Sequence, residues 1–217
     1  MKTSLSVATL VLLSSLAHAN ENWTSFQNGG NTSFASEAVE LNDDTPITWE
    51  VELDGYGQSS PVKHGDHVYV TFVSGEMKDK LHMWAVNFES GKVAWKRETK
   101  NSSPEKSTTY VSRAAPSPAC DANGVIAFFE GRNLVAYSPS GDLRWERDLV
   151  EAYGPIKSRH GLAASLEQTE DAVFVWVERE KEPYVLSISK ATGETNWKAT
   201  GLGVTSWSSP RLIPLTT

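Results

Sequence analysis

Cysteine is almost absent from this sequence of 217 residues. The single cysteine, Cys120, excludes a disulfide within the chain and a Cys-x-x-Cys-His attachment site for haem. It lies beside a predicted strand among apolar neighbours, which favours a small buried side chain over a reactive thiol. Packing must therefore stabilise the fold, and the eight tryptophans provide large apolar surfaces for it.

Long apolar runs are also missing. The longest, at residues 5–16, follows a lysine and precedes Ala-His-Ala, a pattern that a signal peptidase cleaves. A membrane-spanning helix would need about 20 apolar residues. We therefore predict a signal peptide over residues 1–19, cleavage after Ala19, and a periplasmic or secreted protein without an integral membrane segment. Because Asn20 follows the cleavage point where a lipoprotein has cysteine, no lipid anchor is expected.

The chain has no excess of basic residues. Its 20 Lys and Arg are outnumbered by 27 Asp and Glu, which gives a net charge of −7 at pH 7. An acidic protein is repelled by the phosphates of DNA and RNA, so nucleic acid is excluded as an expected partner.

Helical periodicity is absent too. Residues 20–46 are polar and predict an extended leader with little regular structure, anchored by Trp23 and Phe26. From residue 47 onward, short β-branched and aromatic runs alternate with Gly, Pro and Asn. The pattern predicts an all-β chain without helices, whose first strand spans residues 47–53.

A motif ending in tryptophan recurs, and we call it the Trp motif. It reads AVNFESGKVAW at residues 85–95, AYSPSGDLRW at residues 136–145 and SISKATGETNW at residues 187–197, and Trp49 ends a fourth copy. The four tryptophans are 46, 50 and 52 residues apart, a spacing typical of propeller blades. The shared positions are Ala85, Gly91, Trp95, Ala136, Gly141, Trp145, Gly193 and Trp197.

The residue types in the Trp motif suit a docking role. Glycine tolerates a positive φ in the turn, and a small first residue leaves room for an indole to lie across a strand. We predict that each tryptophan is structural and locks one blade to the next, because only adjacent sheets can cover each other's faces.

A second motif, the Ser-Pro motif, recurs out of step with the first. The residues seven positions after the second member of its first three copies are Val68, Val125 and Val173, each at or next to the start of a predicted strand. The four copies are Ser60-Pro61, Ser117-Pro118, Ser165-Leu166 and Ser209-Pro210.

Together the two motifs divide the chain into four-stranded meanders. We predict a propeller over residues 47–217, with blades near 50–97, 98–147 and 148–199 and a fourth begun at 200–217. The predicted strands cover residues 68–73, 81–86, 93–97, 125–129, 134–137, 143–147, 172–177 and 184–189, with the innermost strand of the first blade starting near Pro61.

At these residues the chain resembles the pyrroloquinoline quinone (PQQ)-like β-propellers, whose docking repeat is roughly Ala-x-Asp-x-x-x-Gly-x-x-x-Trp. Asn87 and Ser189 stand where that family often has Asp, and Ser187 replaces Ala. The family includes quinoprotein alcohol dehydrogenases and the propeller of the outer-membrane assembly machinery. The resemblance implies four-stranded antiparallel blades, here a partial propeller of three blades with a fourth begun.

Two functions remain open under this resemblance. The dehydrogenases use a disulfide between adjacent cysteines against PQQ, together with carboxylate and amide ligands for calcium, and one cysteine cannot supply that disulfide. PQQ and calcium are therefore implied by the resemblance alone, and no catalytic or metal-binding residue is identified. We expect a non-catalytic binding or protein-interaction scaffold, and the alternative is a PQQ-dependent enzyme that oxidises alcohols or sugars.

Three polar clusters are interpreted as structural. His64 and His67 flank a turn before a strand, and the alternating charges of residues 178–182 predict a solvated hairpin tip. Asp43 and Asp44 lie in the leader.

The loops before the Ser-Pro motifs are better candidates for binding, since such loops converge on the central channel of a propeller. Their residues either pack over the next blade or form a funnel suited to a small anionic or sugar-like ligand. These residues are Tyr56, Arg113, Arg159, His160 and Trp207.

The predicted blades are too few for a closed ring of the seven or eight blades usual in the resembled family. We expect a fragment, with completing blades supplied by a missing C-terminal part or by a second copy of the chain.

Overall fold

A computed structural model of the chain describes residues 22–30, 42, 44–104, 106, 114–158, 161–201 and 208–213. In these residues, 12 strands form three four-stranded antiparallel sheets in which consecutive strands are neighbours. The predicted all-β fold of four-stranded antiparallel blades is confirmed.

The strands follow the β-branched and aromatic runs of the sequence. Blade 1 contains β1 (Val62–His64), β2 (His67–Ser74), β3 (Lys80–Asn87) and β4 (Val93–Lys100). Blade 2 contains β5 (Ala119–Asp121), β6 (Gly124–Phe128), β7 (Asn133–Tyr137) and β8 (Leu143–Asp148). Blade 3 contains β9 (Glu167–Gln168), β10 (Ala172–Val177), β11 (Tyr184–Ser189) and β12 (Thr195–Thr200).

The apolar core lies between the blades. Side chains alternate along a strand, so Val125 and Ala127 of β6 face a cluster shared with blade 1, and Ile126 and Phe128 face a cluster shared with blade 3. Every residue of β6 and β7 is buried. Blade 2 is therefore stabilised by contact with both of its neighbours.

Three tryptophans lie on the turn glycines of the next Trp motif. A Cβ atom added to any of these glycines would come within 2.6–2.7 Å of an indole, closer than real side chains approach. The contacts join Trp49 to Gly91, Trp95 to Gly141 and Trp145 to Gly193. Glycine is required at these turns because its backbone has a positive φ of 68°, 84° and 75°, respectively, and because the indole occupies the space of a side chain.

Each docked indole also donates a hydrogen bond to the turn that it covers. The acceptors are backbone carbonyls two or three residues before the glycine. The Nε1 atom of Trp49 donates to Phe88 O at 2.8 Å, that of Trp95 to Pro139 O at 2.8 Å and that of Trp145 to Lys190 O at 3.0 Å.

The register of the outer strands places a small residue opposite each tryptophan. Ala85 pairs with Trp95, Ala136 with Trp145 and Ser187 with Trp197, and the register shifts directly after each small residue. Such β-bulges turn the strand locally. The repeated bulge gives the three outer hairpins the same shape and so presents the same turn to each neighbour.

Two arginines complete the docking contact. Arg97 Nε donates to Gly141 O, and Arg147 Nη1 donates to Gly193 O. Each arginine follows its tryptophan by two residues, so the repeated Trp-x-Arg sequence was the signal for this contact, which we did not predict. Ala199 takes the equivalent place after Trp197.

Trp197 differs from the other tryptophans. Its side chain is 47% exposed, whereas Trp95 is 8% exposed. The indole lies 5.9 Å from the ring of Phe174, between centroids. In the described part of the chain, no turn covers it.

The predicted first strand at residues 47–53 is wrong, because these residues pair with no other strand. Their alternating pattern is real, but a strand also needs a neighbour to accept and donate its backbone hydrogen bonds. The segment is attached instead through the side chain of Trp49.

The prediction that the chain has no helix is also wrong. A five-residue helix, α1 (Leu149–Tyr153), follows blade 2. Asp148 caps it by accepting hydrogen bonds from Val150 N at 2.7 Å and Glu151 N at 3.2 Å, and Gly154 follows its end. No helix in the described residues has the length and apolar composition of a membrane span.

Glu178 corrects the predicted solvated hairpin tip. Its side chain is 1% exposed, and neither carboxylate oxygen accepts a hydrogen bond in the structure. Burial raises the pKa of this carboxyl group above its ordinary value of 4.5. Only the later part of the hairpin, including Glu180, is exposed.

Trp95→Ala should lower the free energy of unfolding by about 3–5 kcal/mol, because it removes a buried indole and its hydrogen bond. Trp197→Ala removes an exposed indole and should cost about 1 kcal/mol or less. Urea unfolding measures both. Equal losses for the two variants would contradict the docking role of Trp95.

Glu178→Gln should stabilise the protein at neutral pH. In the wild type, the raised folded-state pKa means that stability falls as pH rises from about 4.5 towards the folded pKa, and glutamine removes this loss. The stability of the variant relative to wild type should increase as pH rises above about 4.5 in urea unfolding. Glu180→Gln, on the same hairpin but exposed, should show no such trend, and a parallel trend in both variants would refute the assignment.

Candidate binding site at the serine row

The Ser-Pro motifs bring four serines into one row across the blades. The amide of each serine donates to the hydroxyl of the next, at 2.8 Å from Ser60 to Ser117, 3.0 Å from Ser117 to Ser165 and 2.9 Å from Ser165 to Ser209. We call this arrangement the serine row. It links the start of each innermost strand to the next blade.

The sequence showed the spacing of these serines but not their contact. Their motif precedes β1, β5 and β9, and proline at the second position of three copies has no N–H to satisfy. In three of the four copies the hydroxyl accepts a hydrogen bond from a backbone amide, which is a reason for serine to recur.

The leader crosses the inner strands next to this row. Trp23 exchanges two backbone hydrogen bonds with Lys63 of β1, at 2.9 and 2.7 Å. Thr24 O then accepts from Cys120 N of β5 at 2.8 Å and from Gln168 Nε2 of β9 at 3.1 Å. The leader is therefore hydrogen-bonded to all three blades.

A tight turn at Phe26–Gly30 ends this crossing. Gln27 and Asn28 have left-handed φ values of 52° and 48°, a region in which most residues are strained. Asn28 stabilises the turn, because its side-chain Oδ1 accepts a hydrogen bond from Thr24 N at 3.0 Å and its backbone N–H donates one to Ser25 O at 2.9 Å. The turn directs Phe26 and Gln27 to a cavity.

This cavity, which we call the serine-row cavity, has a volume of about 460 Å³ and lies beside the serine row. All four serines of the row line it, together with Phe26, Gln27, Gln58 and Arg211. Ala115, Ala163 and Ser208 complete the lining, so the surface combines hydroxyls, side-chain amides, methyl groups, one guanidinium group and one aromatic ring.

The charge of Arg211 is compensated within the protein. Its Nη1 lies 3.1 Å from Oε2 of the buried Glu167, and its Nη2 donates to Gln27 Oε1 at 3.0 Å. Arg211 therefore connects the start of the predicted fourth blade to blade 3 and to the leader.

Four of the residues predicted to line the funnel, Arg113, Arg159, His160 and Trp207, lie outside the described residues. Tyr56 is described, but it pairs with Val73 through two backbone hydrogen bonds of 3.0 Å, and Lys78 Nζ lies 4.8 Å from its ring centroid. It is not among the residues that line the cavity.

A second cavity, of about 340 Å³, lies between blades 2 and 3. Glu130 lines it and accepts hydrogen bonds from Ala115 N and Leu162 N, both at 3.3 Å. Glu130 and Glu178 each lie 12 residues after the second member of their Ser-Pro motif. The same position therefore holds a buried carboxylate in both blades.

The described His, Cys, Asp and Glu side chains form no metal-binding cluster. In this part of the chain, no three His, Cys, Asp or Glu side chains lie close enough together to hold a metal ion. His64 and His67 are opposite each other in the β1–β2 hairpin. Cys120 is buried, which raises the pKa of its thiol to about 12, so it stays protonated at neutral pH.

Blades of four antiparallel strands, joined by docked tryptophans, define the class of PQQ-like β-propellers. A family model described as outer membrane protein assembly factor BamB matches residues 29–159, which is more than half of the chain. The chain belongs to this family.

Solved structures share the fold at low sequence identity. A europium-containing methanol dehydrogenase is 14% identical, with a TM-score of 0.57. The match covers 84% of this chain and 32% of the dehydrogenase chain. A quinohemoprotein alcohol dehydrogenase from Pseudomonas putida is 14% identical, with a TM-score of 0.55, and the match covers 82% of this chain and 26% of that one. BamB from Moraxella catarrhalis is 16% identical, with a TM-score of 0.51, and the match covers 75% of this chain and 45% of the BamB chain.

The chain thus spans between about a quarter and a half of the length of these structures. No curated protein matches the sequence.

Ser165→Ala should lower the free energy of unfolding by about 1–3 kcal/mol, because the buried amide of Ser117 loses its acceptor. Ser60→Ala is the matched control, since no described residue donates to the Ser60 hydroxyl, and it should cost less than about 1 kcal/mol. Thermal or urea unfolding of both variants checks this. If Ser60→Ala cost as much as Ser165→Ala, the row would not stabilise the fold as described.

Proposed function

We propose that this chain is part of an exported, non-catalytic β-propeller that acts as a binding scaffold. The observation that carries the proposal is the chemistry of the serine-row cavity. Its described lining contains no carboxylate, imidazole or thiol, and its one ionised group, Arg211, is held by Glu167 and Gln27. A serine nucleophile or an oxidation step would need a neighbouring base, so these groups are suited to recognition by hydrogen bonds.

The exposed end of blade 3 is suited to contact with a further blade. Trp197 and Phe174 lie side by side there, and Trp197 has the position that is docked in the other copies of the motif. Its partner would be a further blade, from a longer chain or from a second copy. The name of the matched family, an assembly factor, agrees with a role in binding other proteins.

The apolar run at residues 5–16 and the cleavage pattern that ends at Ala19 support export. We propose that the mature protein begins at Asn20 and is released into the periplasm or the medium. Asn22 and Trp23, which attach the leader to blade 1, would then lie near the new N-terminus.

The test combines N-terminal sequencing with an assay of turnover. The expressed protein should begin at Asn20, and addition of PQQ and calcium should give no dye-linked oxidation of alcohols or sugars. An intact Met1 on the protein recovered from cells would refute export. Turnover that depends on PQQ would refute the non-catalytic role and favour the dehydrogenase alternative.

A further inference from the structure

We propose that the serine-row cavity binds a neutral, hydroxyl-rich small molecule, such as a polyol or a short saccharide. The inference rests on the proposed non-catalytic function and names the chemical class of ligand that the cavity takes. Its basis is the set of unused hydrogen-bond donors on the serine row, the compensated charge of Arg211 and the aromatic ring of Phe26.

The serine row presents hydroxyl protons to the cavity. Ser117 and Ser165 are 2% and 4% exposed, respectively. The hydroxyl oxygens of these two residues and of Ser209 each accept a hydrogen bond from a backbone amide. A hydroxyl keeps one proton to donate after accepting such a bond. In the described residues, no protein atom accepts these protons, while all three side chains line the cavity. A ligand oxygen would satisfy them.

The charges around the cavity favour a neutral ligand. Arg211 could attract an anion, but Glu167 lies 3.1 Å from it and cancels its charge. An anion would have to lose its hydration and would also approach the carboxylate of Glu167, which costs free energy without a compensating charge. A neutral ligand with several oxygens meets the hydroxyl donors without either cost.

The remaining lining residues suit a saccharide or polyol. The ring of Phe26 offers an apolar surface for the C–H face of such a molecule. Gln27 and Gln58 add side-chain amides, which donate and accept hydrogen bonds as sugar hydroxyls do. The volume of about 460 Å³ is within the usual range for sites that bind small molecules.

Calorimetric titration of the mature protein with myo-inositol, maltose and inorganic phosphate tests the inference. We expect saturable binding of at least one of the two neutral probes, with a Kd of about 1–10 mM for a small ligand held by few contacts. Phosphate should bind at least about tenfold more weakly. No saturation by either neutral probe, or tighter binding of phosphate, would overturn the proposal.

Two variants locate the binding. Ala163→Phe fills the cavity without removing a hydrogen bond of the serine row and should abolish binding. Phe26→Leu keeps the cavity open but removes the ring and should weaken binding about tenfold. Ala122→Phe, at the exposed β5–β6 turn, is the control and should bind as wild type does. Unchanged affinity in Phe26→Leu and in a folded Ala163→Phe would place the ligand elsewhere and refute the site.

Failure of this inference and failure of the proposed function give different results. Binding without turnover supports both. Binding together with PQQ-dependent turnover would refute the non-catalytic role and leave the ligand class standing, whereas absence of binding would refute only the ligand class.

Discussion

The contact between an indole ring and the backbone of a glycine turn determines how the blades are arranged. A four-stranded sheet has two apolar faces, and neither is covered unless another sheet lies against it. Trp95 crosses that gap, because its ring rests on Gly141 while its Nε1 reaches Pro139 O. Since the same contact recurs at Trp49 and Trp145, one local geometry sets the relation between successive blades.

The serine row makes a second connection at the opposite, inner end of the blades. Trp145 holds the outer strand of blade 2 to blade 3, while Ser117 donates to Ser165 at the inner strands. Two separated connections between the same pair of sheets prevent rotation of one against the other. The inner connection also leaves serine hydroxyls on a cavity wall, so the feature that orders the blades provides the donors of the candidate site.

Much of the fold could be predicted from the sequence because its repeats are local. The Trp motif contains the turn, the glycine and the paired strands in about ten residues, and strands β10 and β11 have the predicted bounds. Helix α1 was missed because one turn is too short to show periodicity, although Asp148 and Gly154 flank it. Burial of Glu178 and the contact of Arg211 with Glu167 depend on segments distant in sequence, which no local pattern reveals.

Substitution of the turn glycine tests the docking contact most directly. Gly141→Ala places a methyl group against Trp95, whereas Gly65→Ala, also at a positive φ, meets no atom within 4 Å. Both variants carry the backbone strain of about 1–2 kcal/mol, but only Gly141→Ala adds the overlap, about 1–3 kcal/mol more. Urea unfolding should therefore show a clearly larger loss of stability for Gly141→Ala than for Gly65→Ala. When Trp95 is already replaced by alanine, the additional loss caused by Gly141→Ala should be smaller than in the wild-type chain. Equal losses for the two glycine variants would contradict the account.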